Sequence, residues 1–309
     1  MADEEISTEE RNKIAKNAGI VSYSVLEKAR NLVKPGAKLI DIATELEKFI
    51  IQAGFEPSFP VNLSVNEQAA HYTPGVENQK TFSNNDLVKV DIGAAKNGVL
   101  TDCAITLDLS GKHEALVNAT NEALQKAIAA AKTGVEVGKI GAAVEEHLRS
   151  KGFIPIKNLG GHGLGVHELH DEPFIPNFDN KDSTKLQDGA LVALEIFATY
   201  PKNRGMVVNS DIKEIFGYIE DAQTRNENAR RLLIRIKEKY PAEPFAARWL
   251  YGTDLSKFEL YAAIGELVRV GALEPYATLV EASNGFIAQA EVDVIITSTG
   301  CEIITTKGN

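Results

Sequence analysis

The chain has 309 residues, a formal net charge of −10, 44% apolar residues and 25% charged residues, which are ordinary values for a globular protein. The acidic charge argues against DNA or RNA as the main partner, and the apolar runs are too short for a membrane helix. Two cysteines, Cys103 and Cys301, are too few for a disulfide framework. Together with a polar, acidic N-terminus unlike a signal peptide, this composition predicts a cytoplasmic protein.

Two helices are predicted near the N-terminus. Residues 9–33 form an amphipathic pattern that follows Ser7 and Thr8, which are suitable helix caps. A Lys-Pro-Gly sequence ends this helix, and a second helix is expected at about 40–53. Gly54 follows it, as is typical just beyond a helix C-terminus.

Part of the chain is repeated. Residues 34–55 and 132–153 align without gaps at an offset of 98, with identical Lys, Gly, Ile, Glu, Gly and Phe. His71 lies 16 residues after the first segment, and His170 lies 17 residues after the second. This offset is too long for a solenoid repeat and predicts two similar halves, with a catalytic cleft between them.

Residues 87–106, LVKVDIGAAKNGVLTDCAIT, contain two aspartates in apolar runs. The Asn-Gly pair between the runs is a strong signal for a hairpin turn. Two antiparallel strands would bring Asp91 and Asp102 onto neighbouring backbones, where buried carboxylates need a cation or another partner. Strand alternation turns Cys103 to the opposite face, where packing is its expected role.

Three further residues of metal-binding type follow: His162 in GGHGLG, Glu195 in LVALEIFA and Glu291 in AQAEVDVII. A single acidic residue in a strand usually lies at an edge or faces solvent. Four carboxylates in apolar runs, with a histidine in a predicted glycine-rich loop, instead indicate a metal site. If all four are ionised, their charge balances two divalent cations.

Residues 201–281 have a different pattern, which predicts a small inserted subdomain. A strand at 212–219 precedes helices at about 221–239 and 256–270, and the segment separates the two glutamate-bearing strands. The first of these helices carries six basic residues: Arg225, Arg230, Arg231, Arg235, Lys237 and Lys239. Interspersed acidic residues favour a solvated helix face, and contact with ribosomal RNA is the alternative.

The chain resembles the type II methionine aminopeptidases of archaea and the eukaryotic cytosol, in their compact form without an N-terminal extension. The family's motifs appear in order: HYTP (71–74), KVDIG (89–93), GHG (161–163), EIFAT (195–199) and QAE (289–291). The resemblance implies an α/β (α+β) pita-bread fold with pseudo-two-fold duplicated halves. Residues 1–200 and 282–309 would form its catalytic domain, and 201–281 a winged-helix-like insertion.

By the same resemblance the metal ligands are Asp91, Asp102, His162, Glu195 and Glu291, with Asp102 and Glu291 bridging two divalent ions. Cobalt, manganese, iron and zinc all suit a site of carboxylates and imidazole. A hydroxide between the two ions would attack the first peptide bond and release the initiator methionine, with a small second residue preferred.

The resemblance also assigns roles around the reaction. Glu195 would carry a proton from the attacking water to the leaving amine, and His71 and His170 would hold the scissile amide. Phe59 and Leu169 would wall the pocket for the methionine side chain. The implied substrate is the N-terminus of a nascent polypeptide, and the implied oligomeric state is a monomer.

The sequence departs from the family pattern at three residues and offers one competing histidine. Ile196 replaces the usual Pro, and Val292 and Asp293 replace the usual His and Thr. Asp293 lies on the same strand face as the glutamate two residues before it, where it could perturb the metals or accept a hydrogen bond. His167 competes with His170, and the spacing favours His170.

Two other functions are compatible with parts of this pattern. A proline-specific aminopeptidase or prolidase would share the fold and ligands, but such enzymes carry an extra N-terminal domain that 309 residues are not expected to hold. A non-catalytic relative that binds RNA or ribosomes would fit only if the metal site were lost. The complete set of ligand types and the acidic charge favour the enzyme.

Overall fold

The computed structural model describes residues 6–252 and 255–308, so the acidic residues 1–5 of the N-terminus lie outside the described part. Its helices are α1 (Thr8–Leu32), α2 (Leu39–Gln52), α3 (Glu114–Ala130), α4 (Val137–Ser150), α5 (Glu227–Lys239) and α6 (Lys257–Arg269). None of these helices combines the length and apolar character that crossing a membrane requires, as far as the described residues extend.

The strands are short in the first half of the chain and longer in the second. They are β1 (Glu56–Pro57), β2 (Asn62–Val65), β3 (Gln68–Ala70), β4 (Leu87–Ile92), β5 (Ala94–Lys96), β6 (Val99–Leu100), β7 (Cys103–Asp108), β8 (Ile154–Pro155), β9 (Gly160–Gly163), β10 (Asp171–Pro176), β11 (Leu191–Thr199), β12 (Val207–Tyr218), β13 (Phe245–Ala246), β14 (Leu273–Glu281), β15 (Ile287–Thr297) and β16 (Gly300–Ile303).

Both predicted N-terminal helices are confirmed. The side chain of Ser7 caps α1 and accepts a hydrogen bond from the Glu10 amide at 3.2 Å. Gly54 follows α2 with φ +82°, a left-handed conformation that only glycine adopts without a steric penalty.

The internal repeat is confirmed in three dimensions. Helices α2 and α4 both have 14 residues, and their bounds are separated by the predicted offset. The turn before each helix makes the same contact: the Gly36 amide donates to Phe82 O and the Gly134 amide donates to Leu186 O, both at 2.8 Å. The chain therefore builds the same turn–helix unit twice.

A nine-stranded sheet joins the two halves. Its order is β10-β9-β11-β15-β7-β4-β2, with β16 paired to β15 and β8 paired to β11. Strands β4 and β7 are the predicted hairpin, paired antiparallel, and Asn97 and Gly98 form its tip with φ +52° and +75°. These angles match the turn that an Asn-Gly pair favours.

The helices cover one face of this sheet. Val90 and Ile92 of β4 pack against α1 and α2, while Leu194 and Ile196 of β11 pack against α3 and α4. Because side chains alternate along a strand, the residues between them point to the other face. The acidic residues lie on that other face, where most of them are buried.

The segment 201–281 supplies most of a separate apolar cluster, which Val76 also joins. A four-stranded sheet, ordered β13-β12-β14-β3, packs with α5 and α6. Its strand β12 begins earlier than predicted, at Val207, and α5 begins later, at Glu227. The later start has a local cause, because the Asn226 side chain caps the helix by accepting from the Ala229 amide at 3.1 Å.

Candidate metal centre

A row of acidic side chains crosses the sheet. In the strand register Glu195 lies opposite Glu291, Glu291 opposite Ala104, and Ala104 opposite Asp91. Directly opposed residues of neighbouring strands share a face. Asp102 stands two positions before Ala104, so its carboxylate enters the same row.

His162 joins this row from the neighbouring strand. It pairs with Ala193, two residues before Glu195, and its Nε2 lies 3.6 Å from Asp102 Oδ2. Its Nδ1 lies 3.0 Å from the carbonyl oxygen of Gly163. If Nδ1 carries the proton and donates to that carbonyl, the Nε2 lone pair faces the carboxylates, as metal ligation requires.

The expected glycine-rich loop around His162 is in fact a buried strand, β9. A Cβ on Gly161 would lie 2.3 Å from Ala193 O, and one on Gly163 would lie 2.2 Å from Glu172 O. Only glycine permits such a close approach of three backbones. The glycines therefore bring the histidine within reach of the acidic row.

The ligand atoms converge closely enough for metal ions. Among the described residues, three overlapping groups each offer ligand atoms within 4.8 Å of one another: Asp91–Asp102–Glu291, His162–Glu195–Glu291 and Asp102–His162–His170. The last group was not foreseen, because the resemblance gave His170 no role as a ligand.

The chemistry of these residues fits divalent cations. Asp91 Oδ1, Asp102 Oδ1 and both carboxylate oxygens of Glu291 are buried without a hydrogen-bond partner. Burial raises the pKa of all four carboxyl groups, that of Asp102 to about 7, and repulsion by Asp102 raises the pKa of the other three further. A cation among these oxygens would remove both penalties.

Two polar side chains beside the row had no assigned role in the sequence. Gln289 Nε2 donates to Glu195 Oε1 at 2.8 Å and approaches Asp91 Oδ2 at 3.4 Å. Asn62 lies opposite Asp91 in the register, and its buried Oδ1 has no partner. Only the pairing of distant strands reveals these positions.

Asp293 accepts a hydrogen bond from the backbone of a predicted ligand. Its side chain is fully buried, and Oδ2 receives the Asp102 amide at 2.9 Å. The other oxygen, Oδ1, has no partner. Two effects were considered for this residue, and the structure contains one of them: the hydrogen bond, which holds the backbone of the predicted ligand Asp102.

A cleft of about 490 Å³ opens over the acidic row. The four predicted substrate-contacting residues, His71, His170, Phe59 and Leu169, all line it. The segment 201–281 adds Ile215, Ala242, Pro244 and Tyr276 to its wall. The cleft is therefore shared between the main sheet and that segment.

The two cleft histidines are neutral at physiological pH. Burial, with a contribution from His170, lowers the pKa of His71 to about 4. The ring of His170 can be reached by solvent in the cleft, but the surrounding protein and His162 lower its pKa to about 4. Each ring can thus donate one hydrogen bond and accept another.

His170, and not His167, lies beside His162. The ring centroids of His162 and His170 are 4.6 Å apart, edge to face. His167 is exposed with φ +60°, and its Nδ1 lies 3.0 Å from Glu243 Oε1. The spacing argument therefore selected the histidine that faces the acidic row.

Comparisons with known proteins agree with this geometry. The model of metallopeptidase family M24 matches residues 13–222. A curated methionine aminopeptidase of Thermococcus onnurineus (strain NA1) is 40% identical over 298 residues, which cover 96% of this chain and 100% of that relative. The chain belongs to metallopeptidase family M24, among the methionine aminopeptidases.

Solved structures of other proteins share the fold of this chain. A thermophilic Arx1 has a TM-score of 0.81 at 18% identity, covering 97% of this chain and 91% of that one. A methionine aminopeptidase from Thermotoga maritima has a TM-score of 0.70 at 23% identity, and the match covers 98% of this chain and 99% of that one. These likenesses establish the pita-bread fold expected from the sequence.

Two of the three departures from the methionine aminopeptidase pattern lie away from the metal centre. Ile196 is buried against α3 and α4, and Val292 packs against the same core. Both are neighbours of acidic residues along their strands and so point to the opposite face. Asp293 alone contacts the site.

Proposed function

We propose that this chain removes the N-terminal methionine from nascent polypeptides by metal-dependent hydrolysis. The observation that carries the proposal is the convergence of four carboxylates and one imidazole, of which all but Glu291 line the cleft, in a chain of the methionine aminopeptidase family. We further propose that the protein acts in the cytoplasm as a monomer, with residues 201–281 as an inserted subdomain.

The metal-binding part of the proposal has two divalent ions per chain, cobalt, manganese, iron or zinc. The residues that would hold them are Asp91, Asp102, His162, Glu195 and Glu291. When bound, such ions lower the pKa of a water molecule and polarise the scissile carbonyl group.

Glu195 is the proposed proton carrier. One of its oxygens is fixed by Gln289 Nε2 at 2.8 Å, which leaves the other oxygen to take a proton and deliver it to the leaving amine.

His71 and His170 are the proposed hydrogen-bond donors to the scissile amide. Neutral imidazoles on the cleft wall can donate to the carbonyl oxygen as negative charge develops there. Phe59 and Leu169 supply an apolar wall suited to a thioether side chain. A preference for a small second residue belongs to the same proposal, as the resemblance to the methionine aminopeptidases implies.

A peptide competition tests this function. Metal-stripped protein receives manganese, cobalt, iron or zinc in turn, with Met-Ala-Ser and Ala-Pro-Ser in one tube. We expect free methionine to be released, and the release to fall at least about 100-fold in Glu195→Gln but not in Glu122→Gln, an exposed glutamate remote from the cleft. Release of alanine before proline would move the chain to the proline-specific branch. Absence of cleavage with every metal, in folded protein, would contradict the enzymatic function.

A further inference from the structure

The segment that carries His71, residues 71–76, is held along its length by residues of the 201–281 segment. The contacts are Thr278 and Tyr276 with His71, Arg248 with Thr73 and Pro74, Glu214 against Gly75, and Tyr261 with Val76. The preceding strand β3 also pairs with β14 of that segment. The position of His71 therefore depends on a part of the chain that supplies none of the predicted metal ligands.

His71 itself needs such support. Its φ of +62° lies in the left-handed region, which residues other than glycine rarely occupy. Thr278 Oγ1 donates to the His71 carbonyl at 3.2 Å, and the ring of Tyr276 lies edge to face with the His71 ring, with centroids 5.9 Å apart. The surrounding contacts must maintain this conformation, because an unsupported chain would relax from it.

Arg248 holds the two residues that follow the turn. Its Nη1 donates to Thr73 Oγ1 at 2.6 Å and to the Pro74 carbonyl at 3.3 Å. The Thr73 hydroxyl in turn donates to the Val61 carbonyl at 2.7 Å. The guanidinium group thus fixes the loop against the strand region that precedes it.

Glu47 of α2 fixes Arg248 from the other side. Its Oε1 pairs with Arg248 Nη2 and accepts the Val61 amide at 3.1 Å, while Oε2 accepts Trp249 Nε1 at 2.9 Å. The side chains of Arg248 and Glu47 are only 6% and 8% exposed. The Arg248–Glu47 pair therefore connects α2, the His71 loop and the 201–281 segment in a buried contact.

Stability alone is a poor explanation for this ion pair. Burial raises the pKa of Glu47 and lowers that of Arg248, because lost hydration outweighs the attraction between them. Arg248 Nε is also buried without a partner. Replacing such pairs with apolar residues is often neutral or stabilising, so their value lies more often in fixing a geometry.

We propose that Arg248, anchored by Glu47, is a positioning residue that sets His71 against the scissile amide. The proposal rests on the role given to His71 in the proposed function. Misplacing a catalytic group by about 1 Å can cost about 100-fold in rate, so a remote contact of this kind can affect catalysis.

The first measurement compares kcat and KM for Met-Ala-Ser in four variants, each loaded with the same metal. We expect Arg248→Met to lower kcat about 10- to 100-fold with KM changed less than about 3-fold. The kcat of Arg248→Lys should lie between those of the wild type and Arg248→Met, since lysine keeps the charge but cannot contact both partners as the guanidinium group does. The control is Arg269→Lys, an exposed arginine of the same segment that pairs with Glu266, and it should match the wild type. If Arg248→Met does not fold, the test is repeated with Thr73→Val, which removes only the hydroxyl group that Arg248 contacts.

The decisive comparison repeats each substitution in a His71→Ala background. If Arg248 acts through His71, Arg248→Met in the His71→Ala background should alter kcat less than about twofold, because the effects of coupled residues are non-additive. Equal losses in both backgrounds would overturn the positioning role and leave the proposed function intact. If His71→Ala itself had no effect on kcat, the catalytic role of His71 would fail and the positioning role with it.

Discussion

Asp293 offers a specific test of how the metal centre is built. It accepts the Asp102 amide at 2.9 Å in a fully buried position, where the family usually has Thr. Asp293→Leu keeps a similar volume and removes the acceptor. Asp293→Asn keeps an acceptor oxygen and removes the charge.

The expected magnitudes follow from that single hydrogen bond. A buried amide left without a partner costs about 1–3 kcal/mol of stability, so the Leu variant should unfold at lower urea concentration. Loss of a contact that orients a ligand typically lowers metal affinity about 10- to 100-fold, which is about 1.4–2.7 kcal/mol. The Asn variant should change metal affinity less than about 3-fold, because the acceptor remains.

The assay is calorimetric titration of metal-stripped protein with manganese, paired with urea unfolding. Asp108→Ala is the matched control: its carboxylate also accepts backbone amides, including that of His113, but at the start of α3 and away from the cleft. It should lose stability and keep the metal affinity of the wild type. Manganese binding by Asp293→Leu as tight as that of the wild type would refute the reasoning.

Three further outcomes are expected. Gly161→Ala should abolish metal binding at His162 and lower the unfolding free energy, because its Cβ would lie 2.3 Å from Ala193 O; a crystal structure with β9 unshifted would contradict this. The pKa of His71 is lowered from 6.5 to about 4, so between these pH values the unfolded chain binds a proton that the folded chain does not, and stability falls as the pH drops. Urea unfolding at pH 7 and pH 5 should therefore show a smaller loss of stability in His71→Gln than in the wild type. If α5 contacts ribosomal RNA, co-sedimentation with ribosomes should be lost on reversing the charges of Arg230, Arg231 and Arg235, and unchanged binding would remove that partner.

Local patterns predicted much of the fold. The Asn-Gly turn, the alternating apolar runs around Asp91 and the helix-ending glycines depend on neighbours in sequence, and the structure contains each of them. The repeated segment was detectable because the turn before α2 and the turn before α4 each place a glycine amide in the same contact.

Long-range contacts were beyond such patterns. Gln289 reaches Glu195 across 94 positions, and Arg248 reaches Glu47 across 201, so no local pattern indicates either contact. The glycine-rich surroundings of His162 suggested a loop, because the crowding of three strands that demands glycine exists only in the folded sheet. The start of α5 was misplaced because acidic and basic residues before Asn226 also suit a helix.

The most direct test of the proposed two-metal centre is anomalous diffraction from crystals soaked in manganese, measured on both sides of the metal absorption edge. Two peaks per chain are expected among the side chains of Asp91, Asp102, His162, Glu195 and Glu291, and one of the two should disappear in His162→Ala. A single peak in the wild-type crystals, or peaks away from these five side chains, would contradict the account.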